Sequence, residues 1–371
     1  MSKNMIRLGD VATYVNGYAF KPEDRGNVGL PIIRIQDLTG HAYDLGFYDG
    51  EYPSKIEINN GDILISWSAS LGVYVWDKGK ALLNQHIFKV VFDKVDIDKK
   101  YFVYAVRRKL DEMVMKTHGA TMKHIVKKDF DETKIPYPTM EEQIEIAKKL
   151  DKVLYIIQKR KQELELLDDL IKARFVEMFG DCDDMVSISD LCSIITDGTH
   201  QSPKFQESGI PFILVSNLSN NTVTYNTEKY ISEETYNELY KRTPIEKGDL
   251  LLSTVGSYGH PAVVTENTRF LFQRHIAYLK PKREVVNSFY LHSALLAPDG
   301  QRQIEEKVKG IAQKTLNLSE IRTIRIPVPE IEEQNAFEDF VNQVTKSKVV
   351  VQKALDEAQL LFDSLMQEYF G

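Results

Sequence analysis

The chain is written twice. Leu30-Pro31-Ile32-Ile33 returns as Ile210-Pro211-Phe212-Ile213, 180 positions on, and Gly61-Asp62-Ile63-Leu64-Ile65-Ser66 returns as Gly248-Asp249-Leu250-Leu251-Leu252-Ser253, 187 on. Gln85-His86-Ile87 answers to Arg274-His275-Ile276, 189 on. Ile135-Pro136-Tyr137-Pro138 matches Ile326-Pro327-Val328-Pro329 at an offset of 191, each followed by Glu-Glu-Gln, and Phe179-Gly180 matches Phe370-Gly371 at the same offset. The offset grows between matched segments and never inside them, as it does when two copies of one scaffold diverge in their loops. Solenoid and propeller repeats run to roughly 20–50 residues, so this period belongs to whole domains in tandem.

Length agrees: 371 residues at roughly 100–200 per domain allow two or three domains. No apolar run reaches the roughly 18 residues of a membrane span, and no signal-peptide stretch follows Met1, so a soluble cytoplasmic protein is expected. Two cysteines, Cys182 and Cys192, make neither a disulfide framework nor a zinc site. The net charge of −7 is unevenly shared, about +1 over residues 1–180 and −8 over 181–371. Binding depends on where charge clusters rather than on the total, so charge neither supports nor excludes a nucleic-acid partner.

Each copy divides into a module and a long helix: 1–138 and 139–180, then 181–329 and 330–371. The modules read as short strands broken by turns, with Pro31–Ile35, Pro211–Val215, Ile87–Phe92 and Ile276–Leu279 as strand runs. Asn59-Asn60-Gly61-Asp62 and Lys247-Gly248-Asp249 are turns into apolar strands. One helix is expected in each module, near Lys100–Lys116 and Ser288–Lys307, which makes the module mixed α/β. Pro136-Tyr137-Pro138 is held extended, and Thr139 stands three residues before Glu142 at the spacing of a capping box. Apolar residues then fall at Ile146, Leu150, Val153, Ile157, Leu164, Leu167, Ile171 and Met178. The second copy offers Phe337, Val341, Val344, Val351, Leu355, Ala358, Phe362, Leu365 and Tyr369. Alternating steps of four and three make a coiled-coil seam. Arg160, Arg174 and Lys348 interrupt it, and Gly180 and Gly371 stand where a helix C′ glycine belongs. Each seam is the natural partner of the other, and an antiparallel, pseudo-twofold coiled coil is the simplest pairing.

Motifs of catalysis are missing. There is no phosphate loop, no His-Glu-x-x-His, no Gly-x-Ser-x-Gly, no Asn/Asp-Pro-Pro-Tyr and no glycine-rich methyl-donor loop after a strand. Pro298-Asp299 followed by Glu305-Glu306-Lys307 loosely imitates a nuclease set, at too short a gap and in one copy alone. His86 and His275 match across the copies without a carboxylate at readable spacing. No catalytic residue, metal ligand or cofactor is assigned.

Two variable α/β modules, each closed by Ile-Pro-x-Pro-x-x-Glu-Glu-Gln and a long helix, resemble the specificity (S) subunit of type I restriction-modification systems. Thr196-Asp197-Gly198-Thr199-His200-Gln201-Ser202-Pro203 is similar to that family's Asp-Gly-Thr-His…Pro motif, and Asn16-Gly17-Tyr18-Ala19-Phe20 is a departure from it in the first copy. The resemblance covers essentially the whole chain. It implies two target-recognition domains, each reading half of a split site in double-stranded DNA, with the helices as spacer. It further implies two methyltransferase (M) subunits and two restriction/translocase (R) subunits as partners, and no catalysis in the chain itself.

Reading a base sequence takes side chains that bond base edges, with Lys, Arg, Ser and Thr on phosphates. Three matched stretches supply them. The first holds Ser66, Ser68, Ser70 and Tyr74 against Thr254, Ser257, Tyr258 and His260. The second holds Gln85 and His86 against Gln273 and Arg274. The third holds Thr121, Lys123 and His124 against Gln313, Lys314 and Thr315, with Lys123 and Lys314 in register after a glycine. Thr199 and His200 join them through the Asp-Gly-Thr-His resemblance. An assembly scaffold that binds no DNA is the alternative, supported by the acidic second half and the lack of a basic stripe.

Overall fold

In a computed structural model the chain is described over residues 4–116, 125–182, 184–310 and 313–371. It divides into two units, one of residues 1–160 with 354–371, the other of 161–353. The first module runs β1 (Met5–Arg7), α1 (Leu8–Val11), β2 (Thr13–Asn16), β3 (Leu30–Ile33), α2 (Ile35–Thr39), β4 (Gly46–Tyr48), β5 (Glu57–Ile58) and β6 (Ile63–Ser66). It continues β7 (Gly72–Val75), β8 (Ala81–Leu83), β9 (Ile87–Val91), α3 (Lys99–Lys116), α4 (Lys127–Glu132) and β10 (Lys134–Pro136), and α5 (Met140–Phe179) follows. Its centre is an antiparallel sheet in the order β2-β9-β6-β7, beside a mixed sheet β4-β3-β8-β5 in which β3 and β8 run parallel. One face of the central sheet, with Ile63, Ile65, Val73 and Phe88, packs on α3, α4 and the start of α5. The other face, with Leu64 and Ile87, meets Ile33, Leu82 and Trp76. Strands buried on both faces read as continuous apolar runs, and Ile63-Leu64-Ile65 is one.

The second unit repeats the plan. Its elements are β11 (Met185–Ser187), α6 (Ile188–Leu191), β12 (Cys192–Asp197), β13 (Ile210–Ile213), β14 (Tyr230–Ile231), α7 (Glu233–Leu239), β15 (Leu250–Ser253), β16 (Pro261–Val263), β17 (Leu271–Phe272) and β18 (Ile276–Pro281). After them come α8 (Ser288–Leu296), α9 (Pro298–Lys307), α10 (Leu318–Thr323), β19 (Arg325–Pro327) and α11 (Ile331–Phe370). The central sheet is β12-β18-β15-β16, the strand order of the first unit. In both, the pair β1–β10 or β11–β19 brings the start of the module to the Ile-Pro strand that precedes the long helix. The single helix expected over 288–307 is two: Ala297 is extended at φ −61°, ψ 155°, because Pro298 disfavours helix in the residue before it.

The first long helix begins as its sequence says. Thr139 N–H donates to Glu142 Oε2 at 2.9 Å, and Glu142 N–H donates weakly to Thr139 Oγ1 at 3.4 Å. In the first unit Leu150, Val153 and Ile157 share a core with Ala358, Phe362, Met366 and Phe370. In the second, Lys348 Nζ donates to Asp168 Oδ1 at 2.6 Å, while Phe175 and Phe179 reach Phe337 with ring centroids 5.5 and 5.6 Å apart. Partner numbers fall as helix numbers rise, so the two run antiparallel within that unit. The seam departs from its 4-3 rhythm in the last two turns of each helix. Phe175 and Phe179 are buried while Met178 is half-buried; Met366 and Phe370 are buried while Leu365 and Tyr369 are half-buried. A helix of 3.6 residues per turn drifts about 20° per heptad off a 3.5 repeat, and steps of four follow the drift where each helix packs on a module. Gly180 does not adopt a left-handed cap: its N–H continues the helix to the Val176 carbonyl at 2.8 Å.

Candidate nucleic-acid interface

In each unit, main-chain hydrogen bonds draw the matched stretches together at the end of the central sheet where β6 or β15 finishes. In the first unit Gly17 N–H donates to the Ile87 carbonyl (3.0 Å) and Tyr18 N–H to Leu83 (2.8 Å), while Gln85 N–H donates to Tyr18 (2.9 Å). Trp67 N–H then donates to His86 (3.2 Å), and Ile125 N–H to Trp67 (3.0 Å). The second unit repeats every rung. Gly198 donates to Ile276 (3.2 Å), Thr199 to Phe272 (2.9 Å), Arg274 to Thr199 (3.0 Å), Thr254 to His275 (3.0 Å) and Leu316 to Thr254 (2.8 Å). The crossing is so close that a Cβ on Gly17 would overlap the Asn84 carbonyl, and one on Gly198 the Phe272 carbonyl. That explains the glycine shared by Asn-Gly-Tyr and Asp-Gly-Thr, whose neighbours differ.

The side chains sort differently from the expectation. Ser66 is fully buried and donates to the Ser70 carbonyl at 2.5 Å, closing its own loop. Ser68 and Thr254 are buried as well, and Tyr74 packs into the core between the two sheets. His260 is held by Asn221, its Nδ1 3.0 Å from the amide oxygen. These five lie beneath the surface or are occupied by the fold, since a residue at a strand end serves the turn first. Thr199, Gln273 and Thr315 are half-buried; Ser70, Gln85, His200, Ser257, Arg274, Gln313 and Lys314 are exposed around the rungs. His86 is half-buried in a left-handed conformation, φ +70°, against Trp67 at 4.9 Å between ring centroids. Thr121, Lys123 and His124 lie outside the described residues.

Several residues enter that sequence reading did not select. Tyr18 stands exposed beside Gln85, and Trp67 Nε1 donates to Asn16 Oδ1 at 3.3 Å. Asp197 binds His200 Nε2 at 2.7 Å and Arg242 at 2.8 Å, so the acid of Asp-Gly-Thr-His fixes the histidine beside it. Arg242 follows α7 and comes from a segment without a counterpart motif, which leaves no sequence signal. His275 accepts from Arg274 Nε at 3.3 Å, and burial, with the Arg274 cation second, holds its pKa below the ordinary histidine value. Lys314 Nζ donates to Glu305 Oε1 (3.0 Å) and Tyr258 Oη (3.2 Å), and Tyr258 donates to Glu305 Oε2 at 2.5 Å. The nuclease-like set is thereby taken apart: Glu305 serves Lys314, and Asp299 serves Arg302 and Gln303. Among the described residues no three His, Cys, Asp or Glu gather as metal ligands.

The sequence matches the type I restriction modification DNA specificity domain over residues 2–166 and again over 183–358. The chain belongs to that family. It carries two such domains in tandem and is a DNA sequence-specificity subunit of the type I restriction-modification class. It is 27% identical to the EcoBI specificity subunit of Escherichia coli, covering 98% of this chain and 83% of that one. It is 21% identical to the MjaVIII specificity subunit of Methanocaldococcus jannaschii, with 92% and 85% covered. The fold is that of the S subunit from M. genitalium, at a TM-score of 0.57 and 15% identity over 100% of this chain and 96% of that one. A chain from a study of complex assembly and conformational transition in the type I system aligns at 0.59 and 17% identity over 99% and 97%. The expected recognition modules and long helices of a specificity subunit are met. No helix among the described residues is long and apolar enough to cross a membrane.

Proposed function

We propose that each unit of this specificity subunit reads one half of a bipartite site in double-stranded DNA, through the laced surface at the end of its central sheet. The observation that carries this reading is the repetition of five main-chain hydrogen bonds around two sets of different exposed side chains. One framework kept twice with unlike residues suits two short, unlike sequences. Phosphate contacts fall to Lys314 in the second unit, and to Lys123 in the first on the strength of its register alone. Base edges fall to Gln85, Arg274, His200 and Gln313, types that donate and accept at base edges. Two readers on one chain gain affinity by effective concentration.

The chain itself transfers no methyl group and cuts no strand. It works in the cytoplasm with two methyltransferase subunits and two restriction/translocase subunits, and α5 and α11 set the spacing between half-sites. Half-sites about one helical turn apart, roughly 34–36 Å, place both readers on one face of the duplex. The test is an exchange of residues 1–138 for another module in the assembled methyltransferase, read by sequencing methylated bases. One half of the methylated sequence changes and the other half and spacer persist. Removing four residues from both long helices shortens each by about 6 Å, and the tolerated spacer by about two base pairs. A module exchange that alters both halves together refutes the independent readers.

A further inference from the structure

We infer that Glu305 is a carboxylate gate over the phosphate-binding lysine of the second unit, and that it lowers affinity for DNA of the wrong sequence. The inference rests on the reading of Lys314 as a phosphate contact. Lys314 Nζ lies 3.0 Å from Glu305 Oε1 and 3.2 Å from Tyr258 Oη, and it stands 5.6 Å above the Tyr258 ring. Tyr258 donates to the second Glu305 oxygen at 2.5 Å, so both oxygens are engaged and the carboxylate is fixed from two sides. The lysine and the glutamate keep 53% and 61% of their side-chain surface exposed, so a phosphate can reach the ammonium group. It has to displace an anion already there. Thr315 exchanges main-chain hydrogen bonds with Lys309 at 2.8 and 2.9 Å, two residues beyond the end of α9, which holds the Lys314 backbone near that helix.

Sequence-independent affinity comes from phosphate neutralisation and counterion release. A lysine paired with a fixed carboxylate contributes little to it until a duplex is seated closely enough to exchange one anion for another. The gate therefore favours the DNA that the base-reading side chains also accept. At the 191-residue offset, Glu305 corresponds to Val114 in the first copy, where the aligned Val114-Met115-Lys116 carries no acid.

The test uses the full chain assembled with its methyltransferase, binding a duplex pool of random sequence over a range of salt concentrations. E305Q is expected to bind the pool roughly three- to tenfold more tightly, with the slope of log K on log salt steeper by about 0.9, one further phosphate. E306Q removes the same charge one residue away, from Arg302 at 2.7 Å, and supplies the baseline for charge alone. E305Q/K314Q is expected to lose the gain. If E305Q does not exceed E306Q, or keeps its gain without Lys314, the gate is refuted while the DNA reading stands. If the wild-type complex binds no duplex at any salt concentration, that reading fails and the gate fails with it.

Discussion

Gly198 crosses the carbonyl of Phe272 with no room for a Cβ, and Gly17 crosses that of Asn84 in the same way. The obstruction is backbone held by hydrogen bonds on either side: Thr199 N–H binds Phe272 O at 2.9 Å and Gly198 N–H binds Ile276 O at 3.2 Å. A neighbouring side chain could turn away, but a laced carbonyl has to carry its strand with it.

Gly198→Ala is therefore expected to destabilise the second unit by about 3 kcal/mol, the upper end of overpacking costs. Gly17→Ala should do the same in the first unit, whereas Gly40→Ala, with nothing within 4 Å of its Cβ, should cost only its left-handed backbone strain of about 1 kcal/mol. Denaturant unfolding of the three variants measures this. Equal losses for Gly198→Ala and Gly40→Ala would show that the crossing is looser than drawn.

Along the long helices, burial should outweigh charge. Leu150 is fully buried in the core shared with Phe362 and Met366, and Leu150→Ala is expected to cost about 3 kcal/mol. Lys348 pairs with Asp168 at 2.6 Å, yet the two side chains are 32% and 52% exposed, so Lys348→Ala should cost under about 1 kcal/mol and less at high salt. Thermal unfolding at two salt concentrations separates the terms. A Lys348 loss equal to that of Leu150 would show that an exposed ion pair can contribute as much to its unit as a buried seam residue does to the other.

His275 should titrate below 6.5, because burial disfavours its cation and Arg274 adds repulsion. With the folded value depressed, the folded state binds fewer protons than the unfolded chain. This histidine's contribution to stability is then complete above about 6.5 and declines as pH falls below it. His275→Gln should flatten that part of the stability–pH profile, and Arg274→Gln should raise the histidine's pKa, both readable by NMR titration. A value at or above 6.5 in the folded protein would contradict the burial.

Repetition made the tandem architecture legible, and the Thr139–Glu142 capping box was readable because it is local chemistry. The three interface stretches were legible as a set because matched residues in divergent loops need a common cause. Their side chains were not. Ser66 and Ser70 look alike in sequence, but the Ser66 hydroxyl closes a turn and Ser70 stands outside, a difference set by where β6 ends. The break at Ala297 was written in Pro298, which disfavours helix in the residue before it, although helix-forming residues continue on either side. The shift to Phe175 and Phe179 was hidden because a heptad pattern assumes one partner throughout, while each helix ends against a module. Arg242 reaches Asp197 from 45 positions away, and such pairings leave no local mark.

The rungs at the sheet end are made of main-chain atoms, and this bears on how such a surface can change over generations. Trp67 occupies the rung that Thr254 holds in the other copy, and Tyr18 the rung of Thr199, with the same bonds closed. Leu316, Ile125 and Thr254 are buried, but at the exposed rung residues Tyr18, Gln85 and Arg274 the main-chain bonds prescribe no side chain. Substitutions there leave the folding free energy almost untouched, so new half-site preferences can accumulate by point mutation as neutral drift, with no compensating repair elsewhere in the chain.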